Sequence, residues 1–281
     1  MKPVLVTGAT GQIGRLVVDE LLGAGIPVRA LARRPEAAGL PAGVPVVAGD
    51  FTVPASLDAA LEGVGAVFLL WTAPPATAAA VIERLGSRAQ RIVLLSSPHQ
   101  TPHPFFQQPN PMARLHADIE RFVAATGVES TILRPGMFAV NTIHWWGPAI
   151  RKGEDVRWPY GAAETAPIDE RDLAAVAARV LYEDGHAGRE YVLTGPSSLS
   201  QADQVTAIGA AIGRPLRFHE LSPDEFRREG GMPPPVADML LAAWRATLGH
   251  TAYVTSTVGE ILGSPARTFA RWAADHADAF R

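Results

Sequence analysis

The chain has 281 residues and a formal net charge of −3, with 47% hydrophobic and 19% charged side chains. This balance is typical of a globular protein with a large core, and it shows no basic footprint for nucleic acid. The absence of cysteine excludes disulfides, thiolate metal sites and a cysteine nucleophile. No leader pattern or apolar run of about 20 residues is visible. We therefore expect a soluble, cytoplasmic protein that binds neither membrane nor nucleic acid.

The first fourteen residues predict a strand, a glycine turn and a helix in direct succession. Apolar residues 3–6 fit a short buried strand, and from Ile13 apolar residues recur at helical spacing. Gly8, Gly11 and Gly14 allow, in that order, a tight turn, backbone approach to a pyrophosphate and close helix–strand packing. Free N–H groups at the start of the helix would bind the phosphates. The stretch therefore predicts a dinucleotide site.

The end of the second predicted strand, residues 27–32, indicates which dinucleotide is bound. Folds of this kind place an acidic residue about twenty positions after the glycines, where it binds the ribose 2′-hydroxyl. Here Arg33 and Arg34 occupy that region instead. Because a guanidinium group suits a 2′-phosphate, Arg33 predicts NADP(H) in preference to NAD(H). The alternative is that both arginines only solvate a loop.

Further apolar segments continue the alternation of strand and helix, with predicted strands at 44–48, 66–70, 91–97, 129–133 and 190–194. This order predicts an α/β fold, a Rossmann-like doubly wound parallel sheet. The regular alternation ends after residue 138, and most of the remaining chain predicts a smaller, mostly helical substrate cap. The predicted core comprises residues 1–139 together with about 167–197, and the predicted cap comprises about 140–166 and 198–281.

Two residues after the third strand have two possible roles. Asp50 could accept a hydrogen bond from an adenine amino group while Phe51 covers the ring, or Asp50 could cap the helix that begins near residues 54–56. Trp71 and Thr72 follow the fourth strand, at the carboxyl edge where cofactors bind such sheets. The sequence leaves both roles of Asp50 open.

Several segments share a pattern with one known group of proteins: 6–14 (VTGATGQIG), 28–33 (VRALAR), 49–51 (GDF), 132–138 (ILRPGMF), 168–177 (IDERDLAAVA), 191–196 (YVLTGP) and 265–269 (PARTF). Together they resemble the NmrA-like group of atypical short-chain dehydrogenase/reductases, which includes NADPH-dependent quinone reductases. The resemblance implies that the cofactor lies along Gly8, Thr10, Gly11, Gln12, Ile13, Arg33, Asp50, Phe51, Trp71 and Thr72. We add Ser96, at the end of the fifth strand. Substrate would lie between the nicotinamide and the cap.

The sequence departs from the usual chemistry of short-chain dehydrogenases, a tyrosine acid with a lysine four residues later. The only lysines are Lys2 and Lys152, and neither has that spacing. Many NmrA-like reductases carry a lysine four positions before a glutamate on the helix after strand five, where this chain has His116 and Glu120. His116 is therefore a candidate proton donor, or else a solvated helix histidine. Tyr160 is the second catalytic candidate, and no spacing predicts a metal site.

The candidate substrate-binding residues fall in two groups. The first lies in and just before a Pro-rich loop at the carboxyl edge of the sheet, and it comprises Ser97 and His99. The second could stack on a flat substrate ring, and it comprises Phe138, His144, Trp145 and Trp158. The alternatives are that the loop is only a surface loop and that the aromatic side chains form the core of the cap.

These features predict an NADPH-dependent reductase of a small, flat, conjugated carbonyl compound such as a quinone, an enone or a polyketide-like ring. Hydride addition to such a compound leaves a delocalised oxyanion, so solvent can supply the proton without a strong acid. One alternative is a non-catalytic NADP(H)-binding redox sensor of the NmrA type. Another is an isomerase or cyclase on the same scaffold. A homodimer or a regulatory protein partner is compatible with each.

Overall fold

The structure, a computed structural model, describes residues 1–281 as strands and helices in alternation, followed by a helical region. The strands are β1 (Val4–Val6), β2 (Val28–Ala32), β3 (Val46–Ala48), β4 (Ala66–Leu70), β5 (Arg91–Leu95), β6 (Glu129–Pro135), β7 (Val156–Trp158), β8 (Glu164–Thr165), β9 (Glu190–Leu193), β10 (Leu199–Ser200) and β11 (Phe218–Glu220). The α-helices are α1 (Gln12–Gly23), α2 (Asp58–Leu61), α3 (Ala78–Gly86), α4 (Pro111–Ala125), α5 (Asn141–Trp145), α6 (Gly147–Arg151), α7 (Glu170–Tyr182), α8 (Gln201–Ile212), α9 (Pro223–Glu229), α10 (Pro234–Thr247), α11 (Thr257–Leu262) and α12 (Phe269–Asp275).

Seven parallel strands form the central sheet in the order β3-β2-β1-β4-β5-β6-β9. The chain builds outward from β1 through β2 to β3, and then crosses to β4 on the other side of β1. This reversal makes the carboxyl ends of β1 and β4 the switch point of the fold. The predicted doubly wound parallel sheet is confirmed.

Both faces of the sheet are buried, which explains why the strands are apolar without alternation. On β1, Val4 and Val6 belong to the core on one face, and Leu5 belongs to the core on the other. Helices α1, α7 and α11 cover the first face, while α2, α3 and α4 cover the second. Successive side chains of a strand point to opposite faces, so each strand feeds both cores.

A third core lies beyond the sheet, and its largest fully buried side chains are Trp146, Trp244 and Trp272. It draws on α6, α8, α9, α10 and α12, and two small two-stranded sheets, β7 with β11 and β8 with β10, flank it. One helix departs from the predicted boundary of the cap: Val258 of α11 packs in the sheet core, although it falls within 198–281. None of the helices has the length and apolar character needed to cross a bilayer.

Candidate functional site

A cleft of about 460 Å³ opens at the carboxyl edge of the sheet, at the switch point between β1 and β4. Thr7 joins these strands, because its hydroxyl donates to the carbonyl of Phe68 at 3.0 Å and accepts from the amide of Leu70 at 2.9 Å. Most of the predicted cofactor residues line this cleft, namely Gly8, Thr10, Gly11, Gln12, Ile13, Arg33, Asp50, Phe51 and Thr72. Ligands of doubly wound sheets bind at this position.

The glycine turn leaves backbone donors free at the cleft. Gly8 has φ of +63°, and its carbonyl accepts from the amide of Gly11 at 2.9 Å, which closes the turn. Helix α1 follows with no side-chain cap, and the amides of Gln12 and Ile13 have no hydrogen-bond partner in the protein. Uncapped amides at the N-terminus of a helix bind phosphate groups, so this turn fits the pyrophosphate of a dinucleotide.

Gly14 is the point where α1 presses against the turn. A Cβ atom at this position would lie 2.1 Å from the carbonyl oxygen of Gly8 and 2.6 Å from its carbonyl carbon. Both are backbone atoms, which cannot rotate away as a side chain would. Only glycine therefore permits this contact, which gives the third glycine the packing role predicted from its spacing.

Arg33 follows β2 directly and extends into the same cleft. It is exposed, lines the cleft and forms no hydrogen bond or ion pair with the rest of the protein. Arg34, its neighbour, is also exposed but lies outside the cleft lining. A guanidinium group without a protein partner remains available for a phosphate ligand.

Arg15 ties the glycine turn to the loop that carries Arg33. Its guanidinium group donates to three carbonyl oxygens, those of Thr10 at 3.2 Å, Gly39 at 2.6 Å and Ala38 at 2.6 Å. The first belongs to the turn and the other two to the loop after β2. One side chain of α1 therefore fixes the separation of these two segments.

Asp50 forms a turn with Thr52 instead of capping a helix. Its Oδ1 atom accepts from the amide and the hydroxyl of Thr52, both at 2.8 Å, and these bonds hold the pKa of Asp50 below its usual value. The one-turn helix that begins at Pro54 has no side-chain cap, so the capping alternative is wrong. Oδ2 has no protein partner, and its role toward an adenine amino group stays a prediction.

Phe51 and Trp71 stack on each other below the cleft. Their ring centroids are 5.0 Å apart with the planes inclined by 22°, and the indole N–H of Trp71 donates to the carbonyl of Ala73 at 2.6 Å. Phe51 lines the cleft, whereas Trp71 lies behind it and is buried. Trp71 therefore supports the cleft through Phe51 and does not line it.

A second cavity of about 140 Å³, here called the side pocket, lies beside the ends of β5 and β6. It is mostly apolar, with four polar side chains and no lysine or arginine. The residues that line it are Ser97, Pro98, His99, Phe105, Phe106, Gln108, Asn110, Ala113, Met137, Met239, Leu240 and Ala243. Because β4 and β5 are neighbours, the side pocket continues the carboxyl edge along which the cleft lies.

A buried ionic network lies behind the side pocket. Glu120, on α4, accepts from the hydroxyl of Ser96 and from two nitrogens of Arg134, at 3.1 Å from Nε and 2.7 Å from Nη2. Arg134 is only 4% exposed, and it also donates to Glu190 at 2.7 Å. Ser96 is thus bound to Glu120 and does not line the cleft, contrary to its predicted place at the cofactor.

Two histidines adjoin Glu120. His99 has Nδ1 at 3.0 Å from the carbonyl oxygen of Ser97, and its Nε2 lies 3.7 Å from Oε2 of Glu120, too far for a hydrogen bond. Nε2 of His99 and Nδ1 of His116 are both buried without a hydrogen-bond partner. Burial, followed by the nearby charge of His99, lowers the pKa of His116, and Glu120 opposes this shift. His116 has intermediate exposure, so it is not a fully solvated helix histidine, and its role as a proton donor stays a prediction.

A comparison with known protein families decides which family this chain belongs to. A family model described as NAD(P)H-binding matches residues 8–184. The chain belongs to this NAD(P)H-binding family. It is 40% identical over 290 residues to (4-alkanoyl-5-oxo-2,5-dihydrofuran-3-yl)methyl phosphate reductase of Streptomyces griseus subsp. griseus, with 99% of each chain covered. It is 34% identical over 287 residues to NAD(P)H azoreductase of Xenophilus azovorans, again with 99% of each covered.

A solved structure agrees with this membership. The NADPH-dependent quinone oxidoreductase QOR2 of Escherichia coli superimposes with a TM-score of 0.82 and 26% identity, covering 97% of this chain and 98% of its own. The predicted resemblance to the group that includes NADPH-dependent quinone reductases is confirmed. These three proteins are reductases or oxidoreductases by name, and the names of two of them include NAD(P)H or NADPH.

In this NAD(P)H-binding protein, we expect His116 to make the free energy of unfolding depend on pH. Its pKa is lower in the folded than in the unfolded chain, so below about pH 6.5 the unfolded chain binds the extra proton more readily. The free energy of unfolding should therefore decrease as the pH falls through and below that value. We expect His116→Gln to reduce this decrease, measured as Tm from pH 8 to pH 5 (roughly the titration range of histidine).

Comparing the wild type with His116→Gln separates the contribution of His116 to this pH dependence from those of the other histidines. Burial lowers the pKa of His186, and the hydrogen bond to Glu170 raises that of His276, but both residues are present in each protein. Equal changes of Tm with pH in the wild type and in His116→Gln would contradict the assignment.

The structure does not bring the remaining predicted residues to the side pocket. Trp145 and Trp158 stack on each other at 5.8 Å and pack around Trp244 in the cap core, which is the alternative given above. His144 is exposed on α5. Phe138 and Tyr160 pack against the cap core, and neither lines the cleft or the side pocket. Phe138 also contacts the sheet core.

Sequence reasoning missed most of the side pocket. Phe105 and Phe106 belong to the Pro-rich loop, and Met239 and Leu240 belong to α10, more than a hundred residues later. His103 holds the loop in place, because its Nε2 lies 2.9 Å from the carbonyl of Thr251. The loop's paired phenylalanines were the one local signal that could have identified it.

Proposed function

We propose that this protein is an NADPH-dependent reductase of a small, flat, conjugated carbonyl compound. One observation carries the proposal: a cleft that fits a dinucleotide, with an unpartnered Arg33, and a mostly apolar pocket lie along the same carboxyl edge of the sheet. NADPH, when bound, supplies a hydride. The residues of the protein bind its phosphates through the glycine turn and Arg33, and they hold the substrate at the ends of β5 and β6.

The side pocket supports the substrate class. Its aromatic and methionine side chains, among them Phe106 and Met137, suit a flat apolar ring, and Ser97 offers a hydroxyl for one oxygen. The lining contains no lysine or arginine, which favours an uncharged compound. The names of the relatives, a furanone phosphate reductase, an azoreductase and a quinone oxidoreductase, all concern conjugated acceptors.

The missing tyrosine–lysine pair is compatible with such a substrate. Hydride addition to a conjugated carbonyl leaves a charge that is spread over several atoms, so positioning matters more than acid strength. His116, a partly buried histidine beside Glu120, stays a prediction from the sequence as a proton donor. Tyr160, which packs against the cap core, stays a prediction from the sequence.

Loss of NADPH absorbance tests the proposal directly. We expect turnover with members of a panel that comprises p-benzoquinones, cyclic enones and an azo dye, with the higher kcat/KM for uncharged compounds than for their phosphate esters. NADH serves as the matched control cofactor and should give a higher KM. Tight NADPH binding without turnover of any compound would favour the redox sensor, and product formed without net NADPH loss would favour an isomerase or cyclase.

Location in the cytoplasm and assembly as a homodimer, or with a regulatory protein partner, belong to the same proposal. The sequence is compatible with each of them, and the cleft and the side pocket are both built from a single chain.

A further inference from the structure

Three side chains form a row from the side pocket into the interior. Ser97 lines the pocket, and its hydroxyl oxygen lies 3.4 Å from Nδ1 of His99. On the other side of the imidazole ring, Nε2 lies 3.7 Å from Oε2 of Glu120. Hydroxyl, imidazole and carboxylate therefore follow one another, as in a proton relay. Nδ1 lies closer to the carbonyl oxygen of Ser97, at 3.0 Å, so the ring must exchange that contact for the hydroxyl when it passes a proton.

Glu120 is held as the fixed end of this row. Arg134 donates two hydrogen bonds to its carboxylate, and Ser96 donates a third. Arg134 is buried and paired also with Glu190, so these bonds hold the carboxylate of Glu120 in one orientation. An ionised carboxylate beside an imidazole stabilises the ring when it carries two protons.

The free nitrogen of His99 indicates that the ring does more than hold the loop. Nε2 is buried without any hydrogen-bond partner, and buried polar atoms without partners are uncommon enough to need an explanation. A ring that only anchored the chain would be satisfied on both sides, as His103 is by the carbonyl of Thr251 and the amide of Phe105. Hydrogen bonds of this type are often long before substrate binds.

We propose that Ser97 donates the proton of the reduction, and that His99, positioned by Glu120 and Arg134, returns a proton to Ser97. This inference rests on the proposed function. NADPH supplies the hydride that bonds to the electrophilic carbon of the substrate, whose carbonyl electron pair moves to oxygen. That oxygen takes the Ser97 hydroxyl proton, and the Ser97 oxygen takes the proton from Nδ1 of doubly protonated His99. The neutral ring regains a proton from solvent, so the substrate gains one hydride and one proton.

The charged groups that face this ring are few. Glu120 and His116 come from α4, Arg134 comes from β6, and Glu190 reaches Arg134 from β9. They include both signs of charge, the carboxylate of Glu120 and the guanidinium group of Arg134. Ser97 touches the substrate and is the catalytic residue, while His99 and Glu120 act through it as positioning residues.

Kinetics of four variants test the row. We expect Ser97→Ala and His99→Gln each to lower kcat on the order of 100-fold, with NADPH affinity unchanged. Ser97→Thr keeps a hydroxyl and should recover most of kcat. Glu120→Asp keeps the charge that Arg134 needs but withdraws the carboxylate from His99, and it should lower kcat on the order of tenfold. The solvent deuterium isotope effect on kcat should increase in His99→Gln, which a loss of packing alone would not produce.

His186→Gln is the matched control, because it makes the same exchange in the loop before β9, at the opposite edge of the sheet, where the ring bonds Tyr191. It should leave kcat unchanged. If His99→Gln retains kcat within about threefold of the wild type, a factor below the range of general acid–base catalysis, the row is not a proton path. If the wild type reduces no compound of the panel, the proposed function fails instead.

Binding of 4-nitrophenol, a probe with one acidic hydroxyl on a flat ring, tests the row without turnover. The wild type should bind the neutral phenol in the side pocket and change its absorbance. Ser97→Ala should weaken this binding about tenfold, the loss of one hydrogen bond. His186→Gln should bind the probe as the wild type does. Equal affinity in Ser97→Ala and the wild type would overturn the assignment of Ser97, whatever the kinetics show.

Discussion

Replacing Gly14 by alanine should lower the free energy of unfolding by about 3 kcal/mol and abolish NADPH binding. The new Cβ would lie 2.1 Å from the carbonyl oxygen of Gly8 and 2.8 Å from the Cα of Ala9, so α1 and the turn must move apart. That movement would displace the unpaired amides of Gln12 and Ile13, which we propose bind the phosphates. Thermal unfolding and fluorescence titration with NADPH measure the two effects, and Tm should fall by roughly 6–12 °C.

Gly23 provides a matched control on the same helix. It is the last residue of α1, and a Cβ there would meet no atom within 4 Å. Gly23→Ala should therefore leave NADPH binding unchanged and raise stability by about 0.5–1 kcal/mol, because alanine loses less backbone entropy on folding. Equal Tm values for Gly14→Ala and Gly23→Ala would show that the close contact at Gly14 carries no energetic weight.

Arg33→Ala should weaken NADPH binding by about 2 kcal/mol, the value of charge-assisted hydrogen bonds to a phosphate. This corresponds to roughly a thirtyfold rise in the Kd for NADPH. The Kd for NADH should stay the same, because NADH lacks the 2′-phosphate that the guanidinium would bind. Titrations of both cofactors at low and high salt measure the difference, which should shrink as the salt concentration rises.

The neighbouring arginine tests whether position or charge alone matters. Arg34 is equally exposed but lies outside the cleft, so Arg34→Ala should change the Kd for NADPH by no more than about twofold. Equal weakening of NADPH and NADH by Arg33→Ala, or a larger effect of Arg34→Ala, would contradict selection of the 2′-phosphate by Arg33.

The cleft at the switch point was predictable because its residues sit at the ends of successive strands. The apolar run at β1, the change of period at Ile13 and the arginine after β2 each give a local signal, and the parallel sheet brings all three to one edge. Asp50 shows the limit of such reasoning. Its place in the cleft followed from β3, but its bond to Thr52 depends on a loop conformation that no periodicity encodes.

The side pocket was not predictable, because its walls come from segments distant in sequence. Met239 on α10 meets Phe106 of the Pro-rich loop only after the cap has folded onto the sheet. The tryptophans of the cap show that the sequence also does not reveal which aromatic side chains pack against one another. Trp145 and Trp158 look suited to a flat ligand, yet burial of their own surfaces against Trp244 is enough to account for them.

The three bonds of Arg15 bear on any attempt to redesign the coenzyme preference of this protein. A loop transplanted from an NADH-using enzyme with a different backbone path would displace the two backbone carbonyl groups, now those of Ala38 and Gly39, that Arg15 holds. The graft would then lose its register with the glycine turn, even if every ligand-facing side chain were correct. Exchange of side chains on the existing loop leaves this brace intact and is the sounder route to a changed preference.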